Sequence, residues 1–128
     1  AFSCSRDDAV HSITVEVHSM TVEKLESRIE NNNSPLILDV RSQKEFDAGH
    51  IQGAVHIPIK QLVDHLSQIE DKKSVEIVVY CHTGPRAEKA KTILEQSGFL
   101  NVVELQGHFK AWKQAELPIA TPLKVDSK

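Results

Sequence analysis

The stretch "VVYCHTGPRAEKA", Val78 to Ala90, decides the reading of this chain. An apolar run, "EIVVY" at 76–80, ends at Cys81, and a Gly84-Pro85 turn follows. The chain then leaves in "RAEKAKTILEQSG", a helical pattern that Gly98 stops. A short run this apolar predicts a strand covered on both faces, and the most apolar such run is expected at the centre of a sheet. Cys81 therefore stands just past a strand's carboxyl end and just before a helix. In parallel α/β sheets that is where sites form.

The rest of the chain repeats the alternation. "ITVEV" at 13–17 predicts a half-exposed strand, and "TVEKLESRIENNN" a helix. In that helix Thr21 is the N-cap, Val22, Leu25 and Ile29 share a face, and the Asn run at 31–33 ends it. "PLILDV" at 35–40 and "AVHIPI" at 54–59 predict two more strands. "IKQLVDHLSQI" carries Ile59, Leu62, Val63, Leu66 and Ile69 at helical spacing. "NVVEL" at 101–105 predicts a last strand, and "HFKAWKQAEL" a closing helix before Pro118. Strands alternating with helices imply an α/β fold with a central, roughly five-stranded parallel sheet and helices on both faces. Residues 1–12 read as a mobile tail, 13–120 as a single domain and 121–128 as a polar tail.

Composition narrows the function classes. The chain has 128 residues, enough for one core, with 40% hydrophobic and 26% charged residues. A net charge of −3 argues against a general nucleic-acid binder. No apolar run approaches the roughly 18 residues that span a bilayer. Two cysteines, Cys4 and Cys81, make a poor disulfide framework, so the fold must rest on its core. The seven histidines, His11, His18, His50, His56, His65, His82 and His108, show no close metal-ligand spacing. The start at Ala1-Phe2-Ser3 is what a cleaved export signal leaves, and an engineered start would look the same; the reading leans to export.

The physics of "CHTGPRA" points to a cysteine nucleophile. A tight strand-to-helix loop turns backbone N–H groups inward as an anion nest, and the helix aims its positive end at the same spot. Gly84 permits a backbone conformation that other residues resist, and Pro85 suits the first helical turn. Arg86 adds a fixed charge and a bidentate fork for an oxyanion. All of this favours a thiolate at Cys81 and an anion held against it. The plain alternative, Cys81 as a small packing residue, needs neither the Gly-Pro turn nor Arg86.

Two blocks carry a family resemblance, "LILDVRSQKEFDAGHIQGAVHIP" and "VVYCHTGPRAEKAKTILEQSGFLNVVELQGHFKAW". The chain resembles a single-domain rhodanese, a sulfurtransferase, from about Ile13 to Leu117. The first block is similar to the family's amino-terminal signature, with Asp39, Val40, Arg41, Glu45, Phe46, Gly49, His50, Ile51, Gly53, Ala54 and Pro58 in place. The second is similar to its active-site loop. The resemblance implies that a Cys81 thiolate takes the outer sulfur of a donor such as thiosulfate, and that a thiophilic acceptor (cyanide or a thiol) then removes it. The loop N–H groups from His82 through Thr83 and Gly84 to Arg86 would cradle the persulfide, Pro85 offering none, and Arg86 would bind the anionic donor. No metal or organic cofactor is implied. The expected partners are a small anionic sulfur donor and a thiol or protein acceptor, with no nucleic acid and no membrane, and a monomer is expected.

A related branch, dual-specificity phosphatases and arsenate reductases, has a loop one residue longer, with a His before the Cys. Here Tyr80 precedes Cys81, and Arg86 lies five positions on, which suits a sulfane sulfur better than a tetrahedral phosphate. A third reading is a sulfur-relay module that hands sulfur to a protein partner. Among supporting residues, Asp39 reads first as a buried hydrogen-bond acceptor, while Arg41 fits an ion pair or substrate electrostatics equally. His50 reads as a loop tie before a proton shuttle, and His82 as an outward-facing group that meets either the donor or water. Phe109 and Trp112 share helical spacing and read as core. His108 follows Gly107 where the family often has a second Gly; it is expected to narrow the pocket mouth or alter the last turn and to leave the nucleophile untouched.

Overall fold

A computed structural model describes residues 19–121. Five parallel strands form one sheet in the order β1-β5-β4-β2-β3. They are β1 (Ser19–Met20), β2 (Leu36–Asp39), β3 (Val55–His56), β4 (Ile77–Tyr80) and β5 (Val102–Leu105). The most apolar strand, β4, sits in the middle as expected, with every residue buried. The expected strand at 13–17 lies outside the described residues, as do Cys4 and both predicted tails apart from Thr121.

Alternation along the strands builds two cores. Leu38, Ile77, Val79 and Cys81 face one side, where Ala87, Ala90 and Leu94 pack on them from α3 (Pro85–Gln96). Ile37, Val78, Tyr80, Val103 and Leu105 face the other, under Val22 and Leu25 of α1 (Val22–Glu30) and Phe109 and Trp112 of α4 (His108–Gln114). A short α2 (Gln43–Ala48) follows β2 and buries no residue. It holds by local chemistry instead, a capping box in which Ser42 and Glu45 satisfy each other's backbone N–H groups. Thr21 caps α1 by accepting the Lys24 N–H at 3.1 Å.

Two predicted elements differ. The strand at 54–59 shortens to two residues, because Pro58 has no N–H to give a ladder. The segment still runs along β2, with Ile57 donating to Asp39 and Ile59 to Val40. The helix predicted from Ile59 is instead two 3₁₀ segments, Ile59–Gln61 and Val63–Lys72, the second broken at His65 and Ile69. No side chain caps either one, and the His65 ring bonds the Gln61 carbonyl, so nothing local enforces an α-turn. Tertiary packing decides the path: Leu62 and Ile69 reach the core while Val63 stays 63% exposed.

Candidate active site at the carboxyl edge of the sheet

The carboxyl ends of β2 and β4, paired in register from Leu36–Ile77 to Asp39–Tyr80, bring Asp39, Arg41 and the Cys81 loop to one edge. Cys81 is fully buried, and its Sγ accepts N–H groups from Gly84 at 3.0 Å and Ala87 at 3.4 Å. Both donors come from the amino end of α3, so amide hydrogens and the positive end of the helix dipole point at the sulfur. Gly84 has φ +142°, which a side chain would resist, and Pro85 occupies the first helical position. The cradle was expected from residues 82–86; Gly84 falls within that span and Ala87 beyond it. Pro85 has no N–H to give, and the second donor is the amide of Ala87, the third residue of α3.

Arg86 does not present a free fork. Its Nη1 and Nη2 bind the two carboxylate oxygens of Glu45 at 2.7 and 3.0 Å. Arg86 is the main cause that holds the Glu45 carboxyl down at about 2, helped by the backbone and hydroxyl of Ser42 and opposed by burial. Arg41 is buried, and it binds the Asp39 carboxylate through Nε and Nη2 and the Gly49 carbonyl through Nη2. Asp39 also accepts the Arg41 backbone N–H at 2.9 Å, so it is the buried acceptor that the sequence suggests. Tyr80 is buried under this pair, and its hydroxyl accepts the Ile51 N–H. Burial first, and the Asp39 charge second, push that phenol far above its ordinary range, so it stays neutral.

His50 ties its loop, as read: its Nδ1 lies 2.9 Å from the Phe46 carbonyl, and its ring stacks on Phe46 at 3.7 Å. His82 is half-buried and lines a cavity of about 250 Å³ with Arg41, Glu45, Phe109 and Lys113. Among the described residues Arg41 Nη1 has no hydrogen-bond partner, and the guanidinium lies over the Phe109 ring at 4.2 Å. Lys113 Nζ lies 5.6 Å from the same ring. Lys113 was missed in the sequence; its spacing of four from Phe109 puts both on one helical face. A larger cavity of about 490 Å³, bordered by Ser19, Glu76 and Asn101, opens at the opposite edge, away from Cys81.

His108 corrects an expectation. It does not line the mouth beside His82. It is 6% exposed, stands at φ +56°, and its Nδ1 accepts the Cys81 backbone N–H at 3.4 Å. The Sγ keeps its own donors, Gly84 and Ala87, while the ring reaches the backbone amide of the same residue, a contact that the sequence did not suggest.

The chain is similar to several known proteins along most of its length. The family model described as Rhodanese-like domain matches residues 21–115. A protein named sulfurtransferase from Allochromatium vinosum is 31% identical over 106 residues, 83% of this chain and 97% of that protein. The putative sulfur carrier protein YrkF of Bacillus subtilis is 28% identical over 75% of this chain, which spans about half (51%) of that protein. The crystal structure of the Alr3790 protein from Anabaena sp. superposes with a TM-score of 0.72 at 34% identity, covering 84% of this chain and 86% of that one.

Proposed function

The chain belongs to the rhodanese-like domain family of sulfurtransferases, and from that premise we propose that Cys81 carries a sulfane sulfur as a persulfide between an anionic donor and a thiophilic acceptor. The observation that carries this reading is the Sγ of Cys81 receiving two N–H groups at the head of α3. With thiosulfate as donor, the thiolate attacks the outer sulfur. A new S–S bond forms at Cys81, the donor's S–S bond breaks, and sulfite leaves with the electron pair. An acceptor nucleophile then attacks the outer sulfur of the persulfide and returns the thiolate, held again by the Gly84 and Ala87 amides.

The donor's charge would be met by His82, Lys113 and Arg41 at the cavity, rather than by the fork of Arg86, which Glu45 occupies. Arg86 acts through its position: it locks α2 to the loop and adds positive charge near the sulfur, and its bond to Glu45 raises its own pKa. The five-position span from Cys81 to Arg86 supports sulfur transfer over phosphate hydrolysis.

Mass spectrometry of the intact protein after thiosulfate tests the proposal. A gain of about 32 Da, the mass of one sulfur, is expected and should map to Cys81. Cyanide should remove it as thiocyanate, and Cys81→Ala should show neither adduct nor turnover. An alanine variant that keeps its rate sinks the proposal. A relay form of the same chemistry differs in the acceptor alone; it would show the adduct with slow cyanide turnover and rapid transfer to a protein thiol. The relative named as a putative sulfur carrier supports keeping that arm in the experiment.

A further inference from the structure

We propose that His108 is a positioning residue for the Cys81 nucleophile: its buried ring holds the Cys81 backbone N–H and backs Gly84, so that the Gly84 N–H stays on the sulfur. This rests on the persulfide reading above and assigns that site a residue outside the loop.

The geometry is specific. The Nδ1 of His108 takes the N–H of Cys81. An atom added at the Cα of Gly84 would meet His108 Nε2 at 3.4 Å and Cδ2 at 3.5 Å, so that edge of the ring lies behind the glycine that donates to Sγ, with room for one carbon between. One ring therefore bonds the nucleophile's own amide and stands one carbon's breadth behind its nearest donor. Accepting at Nδ1 leaves the ring proton for Nε2, which lies 3.4 Å from Glu104 Oε1 on β5. Burial lowers the pKa of His108, which keeps the ring in the neutral form this pattern needs.

The backbone carries the second half of the argument. His108 stands in the left-handed region at φ +56°, directly after Gly107 at φ +76°. A side chain is disfavoured there and a glycine is not. The chain nonetheless places an imidazole at this position and buries it. The first turn of α4 is independently clamped to the loop, Phe109 N–H donating to the Cys81 carbonyl at 3.0 Å and Lys110 N–H to that of His82 at 3.1 Å. Those two bonds do not involve the imidazole, so a glycine at 108 would relieve the backbone, keep the clamp and remove only the ring.

The test compares the full chain with His108→Gly and His108→Asn. Asn tolerates the left-handed region and offers an oxygen near the place of Nδ1. Two quantities are read: kcat and KM with thiosulfate, and the rate of Cys81 alkylation by iodoacetamide at neutral pH, followed on the Cys81 peptide so that Cys4 does not interfere. In His108→Gly both kcat and the alkylation rate should fall about tenfold with KM little changed, because a small misplacement of a reacting atom costs rate more than binding. His108→Asn should recover most of the loss. A glycine variant with the parent's kcat and alkylation rate overturns the proposal, and so does an asparagine variant no better than glycine. Alkylation needs no donor, so a parent protein that forms no persulfide would sink the sulfur-transfer reading while this arm still reads the loop.

Discussion

Two arginine–carboxylate pairs stand at the carboxyl edge of the sheet, and they differ in what surrounds them. Arg41–Asp39 is sealed, with side-chain exposures of 4% and 0%, and lies over the Phe109 ring. Arg86–Glu45 is half-open, at 36% for each partner. The first joins residues two apart at the end of β2; the second reaches across 41 positions, from α2 to the head of α3. A sealed pair is costly to break because the remaining charge is stranded away from water. An open pair is cheap to break, because water replaces the lost partner. The sealed pair is thus part of what makes the edge fold, and the open pair is a latch on the loop that the edge carries.

Removing charge from the sealed pair tests this first. Asp39→Asn keeps shape but leaves the Arg41 guanidinium buried without its carboxylate. Urea unfolding should show a loss of about 3–5 kcal/mol, the usual effect of halving a buried ion pair. A loss below about 1 kcal/mol would mean that the pair behaves like a surface one, and the contrast would collapse.

Glu45→Gln breaks the open pair cleanly, since glutamine retains the capping box with Ser42. Stability should fall by less than about 1 kcal/mol. Activity should respond more: kcat with thiosulfate is expected to drop severalfold with KM unchanged, because the loop loses its tie to α2 rather than a donor contact. A lower KM would instead mean that the freed Arg86 fork takes the donor, returning Arg86 to the role that the family resemblance implies.

How far these features were legible depends on how local their causes are. The β4–Cys81–α3 unit was readable because each part declares itself within a few residues: an apolar run, a Gly-Pro turn, then helical spacing. The central place of β4 followed from its composition. Asp39 as a buried acceptor was readable from its place at the end of an apolar strand. The partner of Arg86 was not, because Glu45 reaches it only once β2 and β4 pair in parallel. The bond of His108 to the Cys81 amide was hidden for the same reason: it exists only because β5 lies beside β4. The helical spacing from Ile59 to Ile69 misled because 3₁₀ turns and a kink can also bring Leu62 and Ile69 inward.

The smallest expected effect is the most selective one, and it lies in acid. Glu45 titrates at about 2 in the folded chain against a usual 4.5, chiefly through Arg86. A carboxylate whose pKa is depressed by folding stabilises the fold above its unfolded value, and that contribution fades as pH falls from 4.5 toward 2. His108 also loses ground in acid, but over a window that opens higher: its pKa is lowered from 6.5 by burial, so below that pH the unfolded chain takes up a proton that the buried ring refuses. Both groups make the fold weaker in acid, and Glu45→Gln removes just one of them. The stability difference between the parent and this variant, measured by urea unfolding at stepped pH, should stay constant from 6.5, where the His108 effect begins, down to about 4.5, and shrink below it. With a partly exposed pair the whole change is expected to be under about 1 kcal/mol. A difference that shrinks already between pH 6 and 5 would mean that the Glu45 latch and the His108 ring titrate as one unit through the loop, and the two sides of the Cys81 loop would then not be independent supports.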